Sequence, residues 1–396
     1  MGWRMTGRRM SRLFLGLVLA LLLAELGLNA YLAYFARAGV FDYYASIRAL
    51  KRRYGDDFFE TRSRYAPHRY LGYYPTPEYR GPGGDRHNAL GYRGEEVATP
   101  KPPGVLRLAV LGGSTVYSFG VDHYARSFPH LLQEELRGRG HPEVEVVNAG
   151  ASSYSTWESL VNLEFRVLDL EPDLVVVYHG TNDAALRLVW PPDAYRGDNS
   201  GAKIALSVPR ARARDGLFEL STLLRILALR MDWTTSNASL ARDFDRRAET
   251  YRSDDLVRQL ALGEYPAGWF EEVDAETVLA SNPPVYFERN LRNVAAVAEA
   301  SGVRCVLATF AYSNEFPENP RVAHGVYRAA MEEGNAIVRA VAADTPAHLF
   351  DFAAVMPRDR RYYTDGRHFT EAGNRLRARL FADELIGAGL LSGHGR

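Results

Sequence analysis

Three residues far apart in this chain have the types needed for nucleophilic catalysis: Ser114, His368 and Asp365. Ser114 follows the apolar run Leu106-Arg-Leu-Ala-Val-Leu111 and the glycines Gly112 and Gly113. A short apolar run meeting a glycine turn reads as a buried strand, and the spacing of Phe128, Leu131, Leu132 and Leu136 predicts a helix over 127–137. Strand, glycine turn, serine and helix is how an α/β fold presents a nucleophile above the carboxyl edge of its sheet. A serine hydroxyl needs a base, and His368 offers an imidazole, a group whose charge changes near neutral pH. The imidazole needs an orienting acceptor, and Asp365 stands three residues before it. A negatively charged tetrahedral intermediate needs fixed donors, which the Asn182 amide and backbone N–H groups can supply. Phosphate-binding readings of the same glycines fail. Gly112, Gly113 and Gly120 do not have dinucleotide-fingerprint spacing, and no Gly-Lys-Ser/Thr follows.

The elements that must bring these residues together are legible as alternating strands and helices. Apolar runs predict strands over 106–111, 144–147, 173–178, 303–310 and 348–352. Helical periodicity falls between them, through residue 168 after the second strand, then over 286–300, 322–342 and 370–386. This order predicts an α/β fold with a mostly parallel sheet covered on both faces. Ser114, the loop Asn148-Ala-Gly-Ala-Ser-Ser153, Gly180-Thr-Asn-Asp183 and Tyr363-Thr-Asp-Gly-Arg-His368 each lie just beyond a strand. Carboxyl ends of strands in an open α/β sheet share one crevice, so these segments can converge. The pattern is interrupted over 184–282, where one helix is expected over 221–231, and an insertion there suits a lid or substrate-shaping subdomain.

Composition excludes several classes. Lysine plus arginine equals aspartate plus glutamate, 48 each, so no bulk charge points to nucleic acid. A single cysteine, Cys305 in an apolar run, excludes a disulfide framework and a cysteine metal site, and no histidine–carboxylate cluster has metal-ligand spacing. No metal and no cofactor are expected. At the N-terminus, Arg4, Arg8, Arg9 and Arg12 precede an almost wholly apolar stretch over 13–36, long enough to cross a bilayer core of roughly 30 Å. Glu25 interrupts it at about 3 kcal/mol on insertion scales, outweighed by leucines contributing about −0.5 kcal/mol each. The arginines ahead of the span place the N-terminus inside and the rest of the chain in the periplasm or outside the cell, although Arg48, Lys51, Arg52 and Arg53 lie on the far side. An uncleaved anchor is favoured over cleavage after Ala38. The expected organisation is a cytoplasmic tip and transmembrane helix over 1–38, an irregular aromatic, glycine- and proline-rich approach over 39–105, and the catalytic domain over 106–396 with its insertion at 184–282. Asn88-Ala-Leu-Gly-Tyr-Arg93 is expected to pack across the edge of the first strand.

In these segments the sequence resembles the SGNH, or GDSL-like, hydrolases, from about residue 88 to 385 outside the insertion. Leu111-Gly-Gly-Ser114 matches the block ending in the nucleophile, and Asn148–Ser153 the second block. Gly180-Thr-Asn-Asp183 matches Gly-x-Asn-Asp, and Asp365-Gly-Arg-His368 matches Asp-x-x-His. Each block alone is common; all four in order are specific. The apolar span and the 88–93 segment look like a membrane-anchored bacterial branch. The resemblance implies a three-layer sandwich with a flavodoxin-like five-stranded sheet. It also implies a serine esterase with Ser114, His368 and Asp365 as catalytic triad and Ser114, Ser153 and Asn182 around the oxyanion. Gly113 stands where the name-giving aspartate usually sits. Ser153 stands where the family has its oxyanion-hole glycine, and it tolerates fewer backbone conformations than glycine.

With the location, this implies an acyl or acetyl ester on a cell-envelope glycan or lipid as substrate. Two other functions share the sequence: an O-acyltransferase passing the acyl group to a polysaccharide hydroxyl, and a non-catalytic envelope-binding protein with the same fold. Among the other polar residues, Asp183 is read as a structural cap, and His123, His130 and His141 as surface residues. His179 is close enough to the site to touch substrate, and Tyr362 and Tyr363 suit a pocket wall or the core.

Overall fold

A computed structural model describes residues 7–36, 38–46, 48–49, 52, 64–68, 70–189, 192–199, 216–231, 233–234 and 275–392. The first six residues and the middle of the 184–282 insertion therefore lie outside the described residues, so the expected lid is described only in part. In chain order the helices are α1 (Gly7–Tyr34), α2 (Ala38–Tyr44), α3 (Ser114–Tyr117), α4 (Phe128–Gly138), α5 (Thr156–Asn162), α6 (Thr181–Arg187) and α7 (Thr222–Arg230). Then come α8 (Ala275–Ser281), α9 (Val285–Ala300), α10 (Pro320–Ala323), α11 (Gly325–Asp344), α12 (Phe352–Val355) and α13 (Glu371–Gly387). The strands are β1 (Tyr65–His68), β2 (Gly72–Pro75), β3 (Leu106–Gly112), β4 (Val144–Gly150), β5 (Leu174–Tyr178), β6 (Arg304–Ala308) and β7 (His348–Phe350).

Two compact units result, one of residues 1–63 with 208–245, the other of 64–207 with 246–396. In the larger unit five strands run parallel in the order β4-β3-β5-β6-β7. This is the doubly wound arrangement in which the strand order reverses beside the first strand, opening a crevice at the carboxyl ends. Register places the critical strand ends side by side, with Gly112 opposite both Gly150 and Tyr178. Alternation along the strands divides the core between two faces. Leu108, Val110, Val176 and Val306 join Phe128, Leu132 and Phe381 of α4 and α13 on one face. Ala109, Leu111, Val175, Val177 and Leu307 join Leu291, Val294 and Val338 of α9 and α11 on the other. Cys305 lies in this second face, and burial pushes its thiol up to about 12.

Observed boundaries differ from the sequence expectations mainly at strand ends. β4 runs on to Gly150, and β6 stops at Ala308, after which Thr309 N–H donates to Phe350 O (3.1 Å). The helix expected through residue 168 is α up to Asn162 and then widens into a π turn over Leu163–Val167. Within the segment expected to be irregular, β1 and β2 pair as an antiparallel hairpin, Tyr65 opposite Pro75 and His68 opposite Gly72.

The smaller unit contains α1, α2 and α7. Met10–Tyr34 is an apolar stretch of 25 residues with hydropathy 2.2, and at 1.5 Å per residue it is about 37 Å long. Leu32, Phe41 and Ala45 form a small buried cluster where α2 folds back on the end of α1. Glu25 meets the start of α7. Its carboxylate accepts from the backbone N–H of Thr222 (2.7 Å) and Leu223 (2.9 Å), from Ser221 Oγ (2.8 Å) and from Asn29 Nδ2 (2.8 Å).

Candidate active site

The turn after β3 exists because its residues are small. A Cβ on Gly112 would meet Val116 Cγ2 at 2.3 Å and Tyr178 O at 2.7 Å, so the chain can fold directly from strand into α3 only without one. Ser114 thereby becomes the first residue of α3, above the carboxyl edge of the sheet. From the other end of the chain, the turn 364–368 closes through Thr364 N–H donating to His368 O (2.8 Å). Gly366 takes φ 88° there, a left-handed conformation that favours glycine. The Gly366 carbonyl accepts from Ser313 N–H (2.8 Å), and Asp365 O accepts from Asn319 Nδ2 (2.6 Å).

These two turns bring Ser114, His368 and Asp365 into a hydrogen-bonded line. Ser114 Oγ lies 2.7 Å from His368 Nε2, and His368 Nδ1 lies 2.8 Å from Asp365 Oδ2. Asp365 Oδ1 accepts from the backbone N–H groups of Arg367 (2.9 Å) and His368 (2.9 Å). Burial raises the Asp365 pKa, but the His368 hydrogen bond and charge, the Arg367 guanidinium at 3.5 Å and the backbone N–H donation outweigh it. The carboxyl is held well below the usual carboxylate range. A carboxylate kept ionised at Nδ1 leaves Nε2 free to accept a proton from the serine.

Asn182, the second residue of α6, reaches back across the strand ends. Its Nδ2 donates to Tyr154 O (2.8 Å) and passes so close to Gly113 that a Cβ there would lie only 2.5 Å away. Ser153 sits in the turn after β4, stitched to the end of β3 by Ala151 N–H donating to Gly112 O (3.1 Å). It has φ 62°, the left-handed conformation for which glycine is the easy choice, at a cost on the order of 1 kcal/mol for a residue with a Cβ. Its neighbour Ser152 is held by two tyrosines of the β1–β2 hairpin. Tyr65 OH donates to Ser152 Oγ (2.8 Å) and accepts from Ser152 N–H (3.1 Å), while Tyr73 OH donates to Ser152 O.

Other residues of the 64–105 stretch brace α3 from behind. Arg93, completely buried, donates from Nη1 to Tyr117 O (2.7 Å) and Ser118 O (2.9 Å), and from Nη2 to Val121 O (2.9 Å). Its Nε pairs with Asp85 Oδ1 at 2.9 Å. The 88–93 segment thus grips the turn after α3, while Tyr92 joins the core beside Leu111. His87 bridges Thr76 O (2.8 Å) and Tyr117 OH (2.8 Å), and burial pushes its pKa down to about 4. Arg377 Nη1 donates to Thr115 O (2.9 Å), its guanidinium stacked on Phe128 and Tyr178 at 3.8 and 4.0 Å.

Asp183 and His179 face inward rather than toward the serine. Asp183 Oδ1 caps α5 by accepting from Thr156 N–H (3.0 Å) and Oγ1 (2.6 Å), and His179 Nε2 bonds Ser159 Oγ (2.7 Å). Tyr363 is buried against Phe369. Phe119, exposed, lies beside the histidine, its ring 5.8 Å from the imidazole. Sequence reading missed Phe119, although it stands five residues after the serine in the same block. Tyr65 and Tyr73 were also missed, and Arg93 was named only within the 88–93 packing segment, because no local pattern announces a hydrogen bond to a distant carbonyl.

Residues 110–376, more than half of the chain, match the model of the GDSL-like Lipase/Acylhydrolase family. No curated protein matches. Similar solved structures include a lipase/acylhydrolase from Enterococcus faecalis, 17% identical over 72% of this chain and 97% of its own, with TM-score 0.41. Another is a GDSL-like lipase from Bacteroides thetaiotaomicron, 14% identical over 71% and 88%, TM-score 0.37. A variant acetyl xylan esterase from Geobacillus stearothermophilus is 15% identical over 74% and 100%, TM-score 0.40.

Proposed function

Since the chain belongs to the GDSL-like lipase/acylhydrolase family, we propose that it is a membrane-anchored, extracytoplasmic serine esterase that removes acyl or acetyl groups from a cell-envelope glycan or lipid. The observation that carries this reading is the line Ser114–His368–Asp365, closed by hydrogen bonds of 2.7 and 2.8 Å. Ser114 Oγ attacks the ester carbonyl carbon while its proton passes to His368 Nε2. The carbonyl π electrons move onto oxygen, where the N–H groups of Ser114 and Ser153 and the Asn182 amide stabilise the charge. Collapse breaks the C–O bond to the alcohol, which leaves with the proton from Nε2. Water then repeats the sequence on the acyl-enzyme, releasing the acid and free Ser114. Asp365 keeps the imidazole in the required tautomer throughout.

The envelope location rests on α1, long and apolar enough to span, with arginines before it. A reporter fused after residue 396 that is active only in the cytoplasm would refute that placement. The chemistry is tested with a fluorophosphonate probe and p-nitrophenyl acetate. Wild-type protein should label at Ser114 and turn over the ester, and Ser114→Ala should do neither. Wild-type turnover in Ser114→Ala would rule out the mechanism.

A further inference from the structure

We propose that α7, a helix of the insertion, is a second membrane element, seated among the phospholipid acyl chains of the outer leaflet beside α1. This rests on the reading of α1 as a membrane anchor. Its starting point is Glu25, an acid inside the apolar helix. The described structure surrounds its carboxylate with donors from the first turn of α7, namely Ser221 Oγ and the N–H groups of Thr222 and Leu223. Thr222 Oγ1 donates in turn to Asn29 Oδ1 at 2.8 Å. Polar groups within a bilayer are retained where they satisfy one another. Four donors on one carboxylate meet that condition, and they fix a depth.

Glu25 lies nine residues before Tyr34, the last residue of α1, and nine residues of helix rise about 14 Å. If α1 spans, the first turn of α7 is carried that far inside the helix end. The next turn lies further out. Arg225 donates from Nε to Ala45 O (3.1 Å), and Ala45 packs with Leu32 near the end of α1. The helix therefore climbs from the level of Glu25 toward the surface. Arg225, buried, brings no bare charge with it, since it pairs with Glu219.

The side of α7 turned away from α1 has lipid chemistry. Leu224 and Leu227, three residues apart and so on one face of the helix, are both exposed. Leu220 just before the helix, by 70%, and Met231 at its C-cap are exposed as well. Trp233, also exposed, and Arg230 stand at the end that reaches the surface, the interfacial positions where an aromatic ring and a snorkelling cation are at home. In water this face would be an apolar patch without purpose. At the depth Glu25 imposes, acyl chains cover it.

The test uses full-length protein in phosphatidylethanolamine–phosphatidylglycerol vesicles containing doxyl-labelled phospholipid. An environment-sensitive fluorophore is attached at Leu227→Cys, with Leu17→Cys on α1 and Arg361→Cys on the other unit as references. Native Cys305 is buried and stays unlabelled. Quenching at Leu227 within twofold of that at Leu17, and at least fivefold above that at Arg361, is the expected result. Quenching at Leu17 with none at Leu227 overturns the proposal and leaves the anchor standing. Absence of quenching at both overturns the anchor as well. Leu224→Cys, one turn earlier on the same face, replaces the Leu227 variant should that fail to fold.

Discussion

Removing the Arg93 guanidinium should show whether the stretch ahead of the sheet positions the nucleophile. Arg93 and Asp85 are 1% and 3% exposed at the side chain, so Arg93→Met leaves a buried carboxylate without its partner, a change costing about 3–5 kcal/mol. It also strips donors from Tyr117 O, Ser118 O and Val121 O, each worth about 1–3 kcal/mol if no water enters. Against a whole stability of about 5–15 kcal/mol, the single variant should fold poorly. Arg93→Met combined with Asp85→Leu removes both charges and should recover roughly 3 kcal/mol of the loss. It leaves the three carbonyls ungripped, so the turn that ends α3, four residues after Ser114, is no longer fixed. Turnover of p-nitrophenyl acetate should stay at least about tenfold below wild type, equivalent to roughly 1.4 kcal/mol of barrier. Arg93→Lys keeps a charge for Asp85 but cannot fork to four acceptors, and it should fall between. Denaturant midpoints and kcat are measured on the same preparations. If Arg93→Met matched wild type in both, or the double variant recovered kcat along with its midpoint, the positioning argument would be wrong.

Four further outcomes follow from the same geometry. Ser114→Ala and His368→Ala should each lower turnover by about 10⁴ or more, and together by little beyond either alone, because they act as a unit. Asn182→Ala should lower turnover by about 10²–10³, whereas Ser153→Gly should stay within about tenfold, since glycine keeps the N–H and relieves the φ of 62°. The reverse ordering in steady-state kinetics would dismantle this oxyanion hole. His87 has a folded pKa of about 4 against an unfolded value near 6.5, so only the unfolded chain takes the proton as pH falls between them, and stability drops by about 3 kcal/mol across that window. Chemical denaturation of His87→Gln should lack that drop; an equal fall in both proteins would contradict the assignment. Tyr73→Phe removes the hydroxyl that holds Ser152 O and should cost about 1 kcal/mol, read as a lowered melting temperature.

Elements with strong local pattern were legible in the sequence. The buried run at 106–111, the glycines after it and the helix-period leucines of α4 state their own structure, and the shared carboxyl edge of a parallel sheet lets Ser114 and the turn of His368 converge. Residues 64–105 gave little, because Tyr65, Tyr73, His87 and Arg93 act through partners 24–87 positions away in the chain. A hydroxyl aimed at a distant backbone group leaves no periodicity. The contact between Glu25 and Thr222 was still less visible, spanning 197 positions. Glu25 alone looked like a tolerated cost, and only its partners make sense of it. Ser153 was visible as a departure, but its left-handed backbone was not, since serine does not announce that conformation as glycine does.

The narrow space between Gly113 and Asn182 has a consequence for how this site can change over generations. A side chain at 113 would press on the Asn182 amide at 2.5 Å and on Tyr154 O at 3.0 Å. An aspartate at 113, the residue usual in the family, would enter this chain only with the Asn182 amide moving aside. What either position can hold thus depends on where the side chain of the other lies, and the two are best exchanged together.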